Sequence, residues 1–486
     1  MRFFSGMRKI IIEPMFIRNA MTDDRTHDGK DGDADKRFDA ALNSVLHIDK
    51  RDYPCYVGGL MVASGNEHTV TSPVDTSIIF GRFQEPEDGL SDRAVDVAAN
   101  AYKKWSRTDP MKRAEIFDTA LKTITRQKYR IAAAITLSAG MTRGDSIYET
   151  ERLIEVIEDG IKKIGGGVTG RPMGVWAIIS EYNSPLAAPM GYAAAAMLAG
   201  NTVVLIPPKE CPFPVYMLYE ILAPLLPDGV LNVIYDRRGK AANALTENEN
   251  IAGIAAIGRS DRFEDLMLSY VGDELKFISE LKGMNPLVIF KPASMQAAAE
   301  FAVSSAFGYA GQRTDSCSKA IITAPEQKQF IDHLLVAAKK ISIGDPAEKG
   351  TFAGPVISKD SMDAFFDIVR NAKDNLVFGG KRIANETTDA GYYVMPAIFV
   401  GLPEDHELNT MDHSLPILSV QIVGDIDEAT EAANGCEFGP SIGIISKDER
   451  AIERFLSAAG SDVVYVNGSS GIVGTAVRAD VGEFTK

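Results

Sequence analysis

Residues 305–319, SAFGYAGQRTDSCSK, bring together three side chains that could take part in nucleophilic chemistry: Thr314, Asp315 and Cys317. A cysteine thiol has an ordinary pKa of about 8.5, so it is partly ionised near neutral pH and its thiolate is a good nucleophile. A threonine hydroxyl is far weaker, and threonine nucleophiles work beside a dedicated base such as their own N-terminal amine. Thr314 is internal, and its neighbour Asp315 would point in a different direction on a helix. Covalent chemistry here therefore requires activation of Cys317 or, less readily, of Thr314.

The same segment resembles the nucleophile segment of the aldehyde dehydrogenase superfamily. The resemblance is closest to the branch that oxidises glutamate γ-semialdehyde, the 1-pyrroline-5-carboxylate dehydrogenases, whose pattern reads AFGFQGQKCSACSR. The residues in register are Phe307, Gly308, Gly311, Gln312, Ser316, Cys317 and Ser318. Thr314 stands where the family has its nucleophilic cysteine, and Cys317 matches a second cysteine of the branch that is not the nucleophile.

Two further positions carry the family's chemistry by this resemblance. Asn183, in GVWAIISEYNSP (174–185), matches the asparagine whose amide helps to hold the oxyanion that develops on the aldehyde carbonyl. Glu280, in KFISELKGMNPLVIF (276–290), matches the glutamate that activates the hydrolytic water, and it keeps the family's spacing to position 314. The structural alternatives are an asparagine in a tight turn before Pro185 and a solvated glutamate at a strand edge.

The resemblance also places the contacts to NAD or NADP, and several of them depart from the family pattern. Ile206 replaces the lysine that grips the adenosine ribose, and Lys209 replaces the acid that binds its hydroxyls. Lys209 either attracts a 2′-phosphate, which would favour NADP, or is a solvated charge. Gly258 matches the turn that faces the pyrophosphate. Arg259 replaces the serine of that turn, and it either pairs with phosphate or fills the cofactor's space.

The nicotinamide end of the cofactor site departs as well. Asp412 replaces the glutamate that holds the nicotinamide ribose, and Ser414 replaces a phenylalanine near the nicotinamide. Cys317 lies about one helical turn from Thr314, too far to replace a nucleophile when a displacement of about 1 Å can cost roughly a hundredfold in rate. We therefore predict a buried structural cysteine at 317, with a nucleophilic Cys317 as the alternative.

The pattern of elements predicts an α/β protein. Alternating strands in 53–83 precede three helical patterns, from Leu90 with Ser91 as its N-cap, from about 110 to 140, and in ETERLIEVIEDGIKKI. Residues 193–234 have the βαβ rhythm of a parallel nucleotide-binding sheet. We predict a nucleotide-binding domain at 50–279, a catalytic domain at 280–470 and a divergent segment at 471–486. We predict that residues 1–49 are a disordered tail, because DDRTHDGKDGDADKR is polar and charge-dense, or that the start is assigned too early, since Met15 and Met21 could begin translation.

The segment between the third helix and the strand at 174 is short. GIKKIGGGVTGRPM replaces the family's oligomerising β-hairpin, which argues against the family's dimer-of-dimers and leaves a homodimer open.

Composition narrows the partners. The net charge of −15 argues against nucleic acid or an anionic membrane, and no apolar run is long enough to span a bilayer. Four scattered cysteines lack metal-like spacing and indicate reduced thiols in the cytoplasm.

Two main hypotheses about function follow. One is an NAD(P)-dependent oxidoreductase of a small aldehyde, of the glutamate γ-semialdehyde type, acting through Cys317 or Thr314. The other is a catalytically silent relative that binds a metabolite or a protein partner. An esterase that uses the oxyanion site without a cofactor is a third, weaker possibility.

Overall fold

The computed structural model describes residues 10–12, 32–48, 50–167, 170–260, 263, 275–436, 439–461, 463–470 and 479–486. Its contacts divide the chain into two compact units. The N-terminal unit comprises residues 25–280 with 477–486, and the C-terminal unit comprises residues 281–476 with 1–24.

The N-terminal unit is built on a mainly parallel sheet. Among the described residues its strand order is β11-β10-β7-β8-β9-β3-β4. The bounds are β3 Cys55–Val57, β4 Leu60–Val62, β7 Val175–Ser180, β8 Thr202–Ile206, β9 Leu231–Val233, β10 Ile251–Arg259 and β11 Lys276–Lys282. Strands β10, β7, β8 and β9 pair in parallel, whereas β3 is antiparallel to β9 and β4. Every residue of β7, β8 and β9 is buried, as expected for strands covered on both faces.

Helices and a small second sheet surround this sheet. The helices are α1 Gly32–Leu46, α2 Leu90–Trp105, α3 Pro110–Arg126, α4 Lys128–Ala139, α5 Arg143–Gly165, α6 Ala187–Ala199, α7 Phe213–Leu222 and α8 Lys240–Thr246. The small sheet has the order β2-β6-β5, with β2 Arg51–Tyr53, β5 Glu67–Thr71 and β6 Ile79–Gln84. Two expectations were wrong in detail. The predicted helix from 110 to 140 is two helices that meet at Gln127, and Gly89, not Ser91, caps α2.

Helix α1 corrects the prediction of a disordered tail for the residues it covers. Its Phe38 and Val45 are buried, and Arg143 at the start of α5 donates to Asp35 at 3.2 Å and to Asp39 at 2.6 Å. The guanidinium also lies 4.5 Å from the Phe38 ring centroid. The charged residues of α1 are thus mostly on the exposed side of an amphipathic helix.

The C-terminal unit is built on a second parallel sheet. Among the described residues its order is β1-β18-β17-β12-β13-β16-β15-β14, and of the pairs in that order only β14–β15 is antiparallel. The strands are β1 Ile10–Ile12, β12 Leu287–Ile289, β13 Lys319–Thr323, β14 Leu376–Phe378, β15 Ala397–Val400, β16 Ile417–Val423, β17 Ser441–Ile445 and β18 Val463–Val466. The helices are α9 Met295–Phe307, α10 Gln327–Ala338, α11 Lys359–Asn371, α12 Glu407–Thr410, α13 Ile426–Asn434 and α14 Glu449–Ala458.

Helices cover both faces of this second sheet. Leu287 and Ile289 of β12 pack with α9 and α10, whereas Val288 between them packs with α13 and α14. Successive strand residues point to opposite faces, so β12 supplies both cores at once. This strand also leads directly out of the segment that contains Asn285, which is central to the site described below.

Residues 479–486 of the predicted divergent segment dock on the N-terminal unit, and residues 471–478 lie outside the described residues. A 3₁₀ turn at Val481–Phe484 buries Phe484, whose ring centroid lies 4.4 Å from that of Trp176. Asn201 donates to the Phe484 carbonyl at 2.8 Å, and Pro172 forms an antiparallel bridge with Thr485. The short segment between α5 and β7 therefore pairs with the end of this same chain.

Candidate functional site

The loop that carries Thr314 is held in an unusual backbone conformation. After α9, Tyr309 and Ala310 have φ of 51° and 52°, and Gly311 has φ of 71°. A Cβ on Gly311 would lie 2.4 Å from the Leu415 carbonyl oxygen, so only glycine fits there. Gln312 accepts from the Ile357 amide at 2.8 Å. These constraints fix the position of the residues that follow.

Thr314 is buried, and nothing in the described structure activates it. Its carbonyl accepts from Asn285 Nδ2 at 2.9 Å. Its hydroxyl oxygen has no hydrogen-bond partner among the described residues. The adjacent carboxylate of Asp315 accepts from Arg313 Nε at 3.0 Å instead. Thr314 therefore lacks the dedicated base that a threonine nucleophile requires.

Cys317 is held as a structural residue. It is buried, its amide donates to Ser305 O at 3.0 Å, and its thiol donates to Lys319 O at 3.2 Å. Burial raises the pKa of this thiol to about 12. The thiol is therefore protonated across the physiological range.

Thiol labelling tests this description of Cys317. At pH 8 we expect native Cys317 to react with iodoacetamide about a thousandfold more slowly than an unfolded thiol, because only the thiolate reacts. The partly exposed Cys436 serves as the internal comparison and should label first. As the pH rises from about 8.5 toward 12, only the unfolded Cys317 ionises, so its contribution to stability is lost over that range. Rapid labelling of Cys317 in the native protein, followed by mass spectrometry, would contradict this.

Asn183 lies in the turn between β7 and α6, and a buried carboxylate fixes that turn. Glu149 Oε1 accepts from Ser184 Oγ at 2.8 Å, from the Leu186 amide at 3.2 Å and from the Ala187 amide at 2.8 Å. Burial raises the pKa of Glu149, and these three donors oppose that shift. Asn183 itself is fully buried. Sequence reasoning missed Glu149, which lies in a helical stripe with no motif around it.

Glu280 is on β11 and is buried, so it is not the solvated strand-edge glutamate of the structural alternative. The Tyr192 hydroxyl donates to its Oε2 at 3.1 Å. Tyr192 was also missed, because α6 is buried on every side and its alanine-rich sequence has no polar stripe that would single out one residue. Within the N-terminal unit this contact orients the carboxylate.

The predicted contacts to the adenosine half of a cofactor do not suit one. Ile206 is buried and apolar at the end of β8. The Lys209 side chain is 43% exposed and lies 3.7 Å from Glu210, as expected of a solvated charge. The Arg259 amide next to Gly258 donates to Glu181 Oε2 at 2.9 Å, so a carboxylate occupies the turn that would face a pyrophosphate.

Asp412 is likewise engaged by other side chains. Its Oδ1 accepts from Lys282 Nζ at 2.6 Å and from Ser318 Oγ. Its Oδ2 accepts from the Ser414 amide at 2.9 Å and from Ser414 Oγ at 3.2 Å. The Lys282 and Asp412 side chains are 0% and 4% exposed. The residues present therefore do not fit a nicotinamide ribose at Asp412.

The predicted site residues are divided between the two units. Asn183, Ile206, Lys209, Gly258, Arg259 and Glu280 belong to the N-terminal unit, and Thr314, Cys317 and Asp412 to the C-terminal unit. Lys282 and Glu181 were not predicted. Lys282 Nζ and Ser318 Oγ both donate to Asp412, although these three residues are far apart in the sequence. In the described part of the chain, no cluster of side chains could hold a metal ion.

Two α/β units with parallel sheets, Asn183 and Glu280 buried in one and the 314 loop in the other, define an aldehyde dehydrogenase-type protein. The model of the aldehyde dehydrogenase family matches residues 61–478, so the chain belongs to this family. The predicted resemblance and fold are thereby confirmed. Members of this family act on aldehydes, and NAD(P) is the family's cofactor.

Several named relatives are similar over most of the chain. The 1-pyrroline-5-carboxylate dehydrogenase of Geobacillus kaustophilus is 30% identical over 442 residues, covering 86% of this chain and 85% of that protein. The 2,5-dioxopentanoate dehydrogenase of Saccharolobus solfataricus is 29% identical, covering 87% and 91%. A Thermus 1-pyrroline-5-carboxylate dehydrogenase with bound NAD has the same fold, with a TM-score of 0.84 at 22% identity, covering 96% and 92%. None of the described helices is long and apolar enough to cross a membrane.

Proposed function

We propose that this chain is a catalytically silent aldehyde dehydrogenase relative that binds a small semialdehyde without oxidising it. The observation that carries the proposal is Thr314, which stands at the nucleophile position with a hydroxyl that no described base contacts. Cys317 does not replace it, because its thiol is buried and its pKa is about 12.

The ligand class is inferred from what the chain keeps and from the names of its relatives. Asn183 and Glu280 are retained and both are buried. In the N-terminal unit, Tyr192 donates to Glu280, and Glu149 holds the turn that carries Asn183. Two relatives are named for 1-pyrroline-5-carboxylate and for 2,5-dioxopentanoate. The first compound is the cyclised form of glutamate γ-semialdehyde, so both relatives act on five-carbon carboxylates that carry a terminal aldehyde. We therefore propose a five-carbon semialdehyde with a carboxylate as the ligand.

A binding measurement paired with a turnover assay tests the proposal. Calorimetric titration with glutamate γ-semialdehyde should show saturable binding, and formation of NADH or NADPH should remain at least about a thousandfold below that of a cysteine-bearing relative. Butanal, which lacks the carboxylate, is the control ligand and should bind more weakly. Turnover at a rate near that of the relative, or no binding of the semialdehyde, would contradict the proposal.

The second candidate is the family's oxidoreductase activity, which is favoured by the contact between Tyr192 and Glu280. The Cys317→Ser variant separates the two functions. If the wild-type protein turns over and this variant does not, Cys317 is the nucleophile and the chain is an enzyme. Thr314→Cys shows whether the loop still supports oxidation once the thiol is restored.

A homodimer and a cytoplasmic location remain proposals. The four cysteines are all unbridged thiols, which supports a reducing compartment.

A further inference from the structure

We infer that two side chains of this chain occupy contact positions of the cofactor and so exclude NAD and NADP. Glu181 lies at the turn expected to face the pyrophosphate, and Lys282 binds the Asp412 carboxylate, which is expected to hold the nicotinamide ribose. The inference is independent of whether Thr314 acts, because it concerns binding of the cofactor alone. Each half of it rests on contacts within one unit.

The first half concerns the turn formed by Gly258 and Arg259. An amide N–H here would be a natural donor to a phosphate oxygen, but it already donates to Glu181 Oε2 at 2.9 Å. The carboxylate lies directly over Gly258, where a Cβ would be 2.5 Å from the same oxygen. The glycine therefore makes room for an internal anion. A pyrophosphate would have to displace this carboxylate or be repelled by its like charge.

The second half concerns the carboxylate of Asp412. Its two oxygens together accept four hydrogen bonds, from Lys282 Nζ, Ser318 Oγ, the Ser414 amide and Ser414 Oγ. Ribose hydroxyls need the same lone pairs and would have to displace donors that belong to the chain. The lysine charge adds to the free-energy cost of binding a ribose here, since displacing Lys282 from Asp412 would leave a buried ammonium without its counter-ion.

Ile206, at the third contact position of the cofactor, makes no described contact that would offset the unfavourable contacts at Glu181 and Asp412. Ile206 is buried and has no polar side-chain atom for the adenosine ribose. Its carbonyl accepts from Ser180 Oγ at 2.8 Å. Each of these three positions, taken within its own unit, therefore disfavours the dinucleotide.

Calorimetric titration with NAD and with NADP, in separate experiments, tests the inference. We expect the wild-type protein to bind either one with a dissociation constant weaker than about 1 mM. The Thermus relative solved with bound NAD is the positive control for the method. Micromolar binding of either dinucleotide by the wild-type protein would overturn the inference.

Two variants test the cause of the exclusion. Glu181→Ala removes the internal anion and its hydrogen bond from the Arg259 amide. Lys282→Met removes the buried cation and leaves the hydrogen bonds of Ser318 and Ser414 to Asp412. The double variant should bind NAD or NADP at least about tenfold more tightly than wild type. A tenfold change in the dissociation constant corresponds to about 1.4 kcal/mol, which is the order of magnitude of one repulsive or competing contact. Glu249→Ala and Lys328→Ala, which change exposed charges in the same two units, should leave binding unchanged.

Each outcome is decisive. If the double variant folds but gains no affinity for NAD or NADP, these side chains do not block the cofactor and the inference is wrong. If the double variant does not fold, the affinity of Glu181→Ala alone decides in the same way. A wild-type protein that binds NAD without oxidising aldehyde would overturn this inference and leave the proposed function standing. A protein that binds neither cofactor nor semialdehyde would do the reverse.

Discussion

Asp412→Asn is expected to destabilise the C-terminal unit by about 3 to 5 kcal/mol, because it leaves the Lys282 ammonium buried without a counter-charge. The Lys282 side chain is 0% exposed and its ammonium lies 2.6 Å from Asp412 Oδ1. The asparagine also directs an amide N–H₂ toward hydroxyl or amide donors that now face a carboxylate oxygen. Both effects act on the folded state, since the unfolded chain solvates these groups.

Hydrogen exchange is the appropriate measurement for this variant. Both tryptophans, Trp105 and Trp176, belong to the N-terminal unit, so their fluorescence reports on the folding of that unit. The amides of β12, β13 and β16 should exchange by global opening of the C-terminal unit, and their protection gives its stability. We expect it to fall, while the tryptophan signal changes little.

A matched surface pair supplies the control for the Asp412 variant. Lys328 and Asp332 form an ion pair on α10 with side chains 89% and 62% exposed. Asp332→Asn should change stability by less than about 0.5 kcal/mol, as exposed helix pairs do. Adding Lys282→Met to Asp412→Asn should recover much of the loss. If Asp412→Asn alone lowers the stability of the C-terminal unit by less than about 1 kcal/mol, the Lys282 ammonium does not need Asp412 as its counter-charge.

Asn285→Ala should cost about 4 kcal/mol, the second large effect expected in this chain. Asn285 Nδ2 donates to the carbonyls of Gly283, Thr314 and Ser316, at 2.9, 2.9 and 3.1 Å. Its Oδ1 accepts from Ser441 N and Ser441 Oγ, both at 3.0 Å. Alanine leaves these buried groups without partners, and it is also less suited than asparagine to the φ of 47° at this position.

The stability change should be read from the same amides of the C-terminal unit. Asn434→Ala is the control, because Asn434 is exposed and makes two side-chain hydrogen bonds, to Ala458 O and from the Gly460 amide. That variant should lose no more than about 1 kcal/mol. An equal effect of the two substitutions would refute the idea that Asn285 joins the 314 loop to β17.

Local sequence patterns predicted the parts of this fold that depend on neighbouring residues. The βαβ rhythm of residues 193–234 corresponds to the end of α6, then β8, α7 and β9, because each element is encoded in a short apolar run with its own turn signals. The register with the family predicted which positions carry chemistry. The roles of those positions were assigned by alignment with the family, and a role stays a prediction where no contact in the structure tests it.

Tertiary pairing between distant residues could not be predicted in the same way. Lys282 and Asp412 are 130 residues apart, and nothing near either one indicates its partner. Glu181 contacts an amide 78 residues away. Helix α1 was missed for a different reason, since its exposed charges obscured the spacing of Phe38 and Val45. In each case the decisive contact is made only after the chain has folded.

The strand β1 covers the backbone of β18 in the C-terminal unit. Ile10, Ile11 and Ile12 pair in parallel with Val463, Val464 and Tyr465, and β1 forms one edge of its sheet. A polypeptide begun at Met15 or Met21 would lack this strand and leave the β18 backbone open to strands of other molecules. Without β1, the same folded units would be more prone to associate with one another through the uncovered edge of β18.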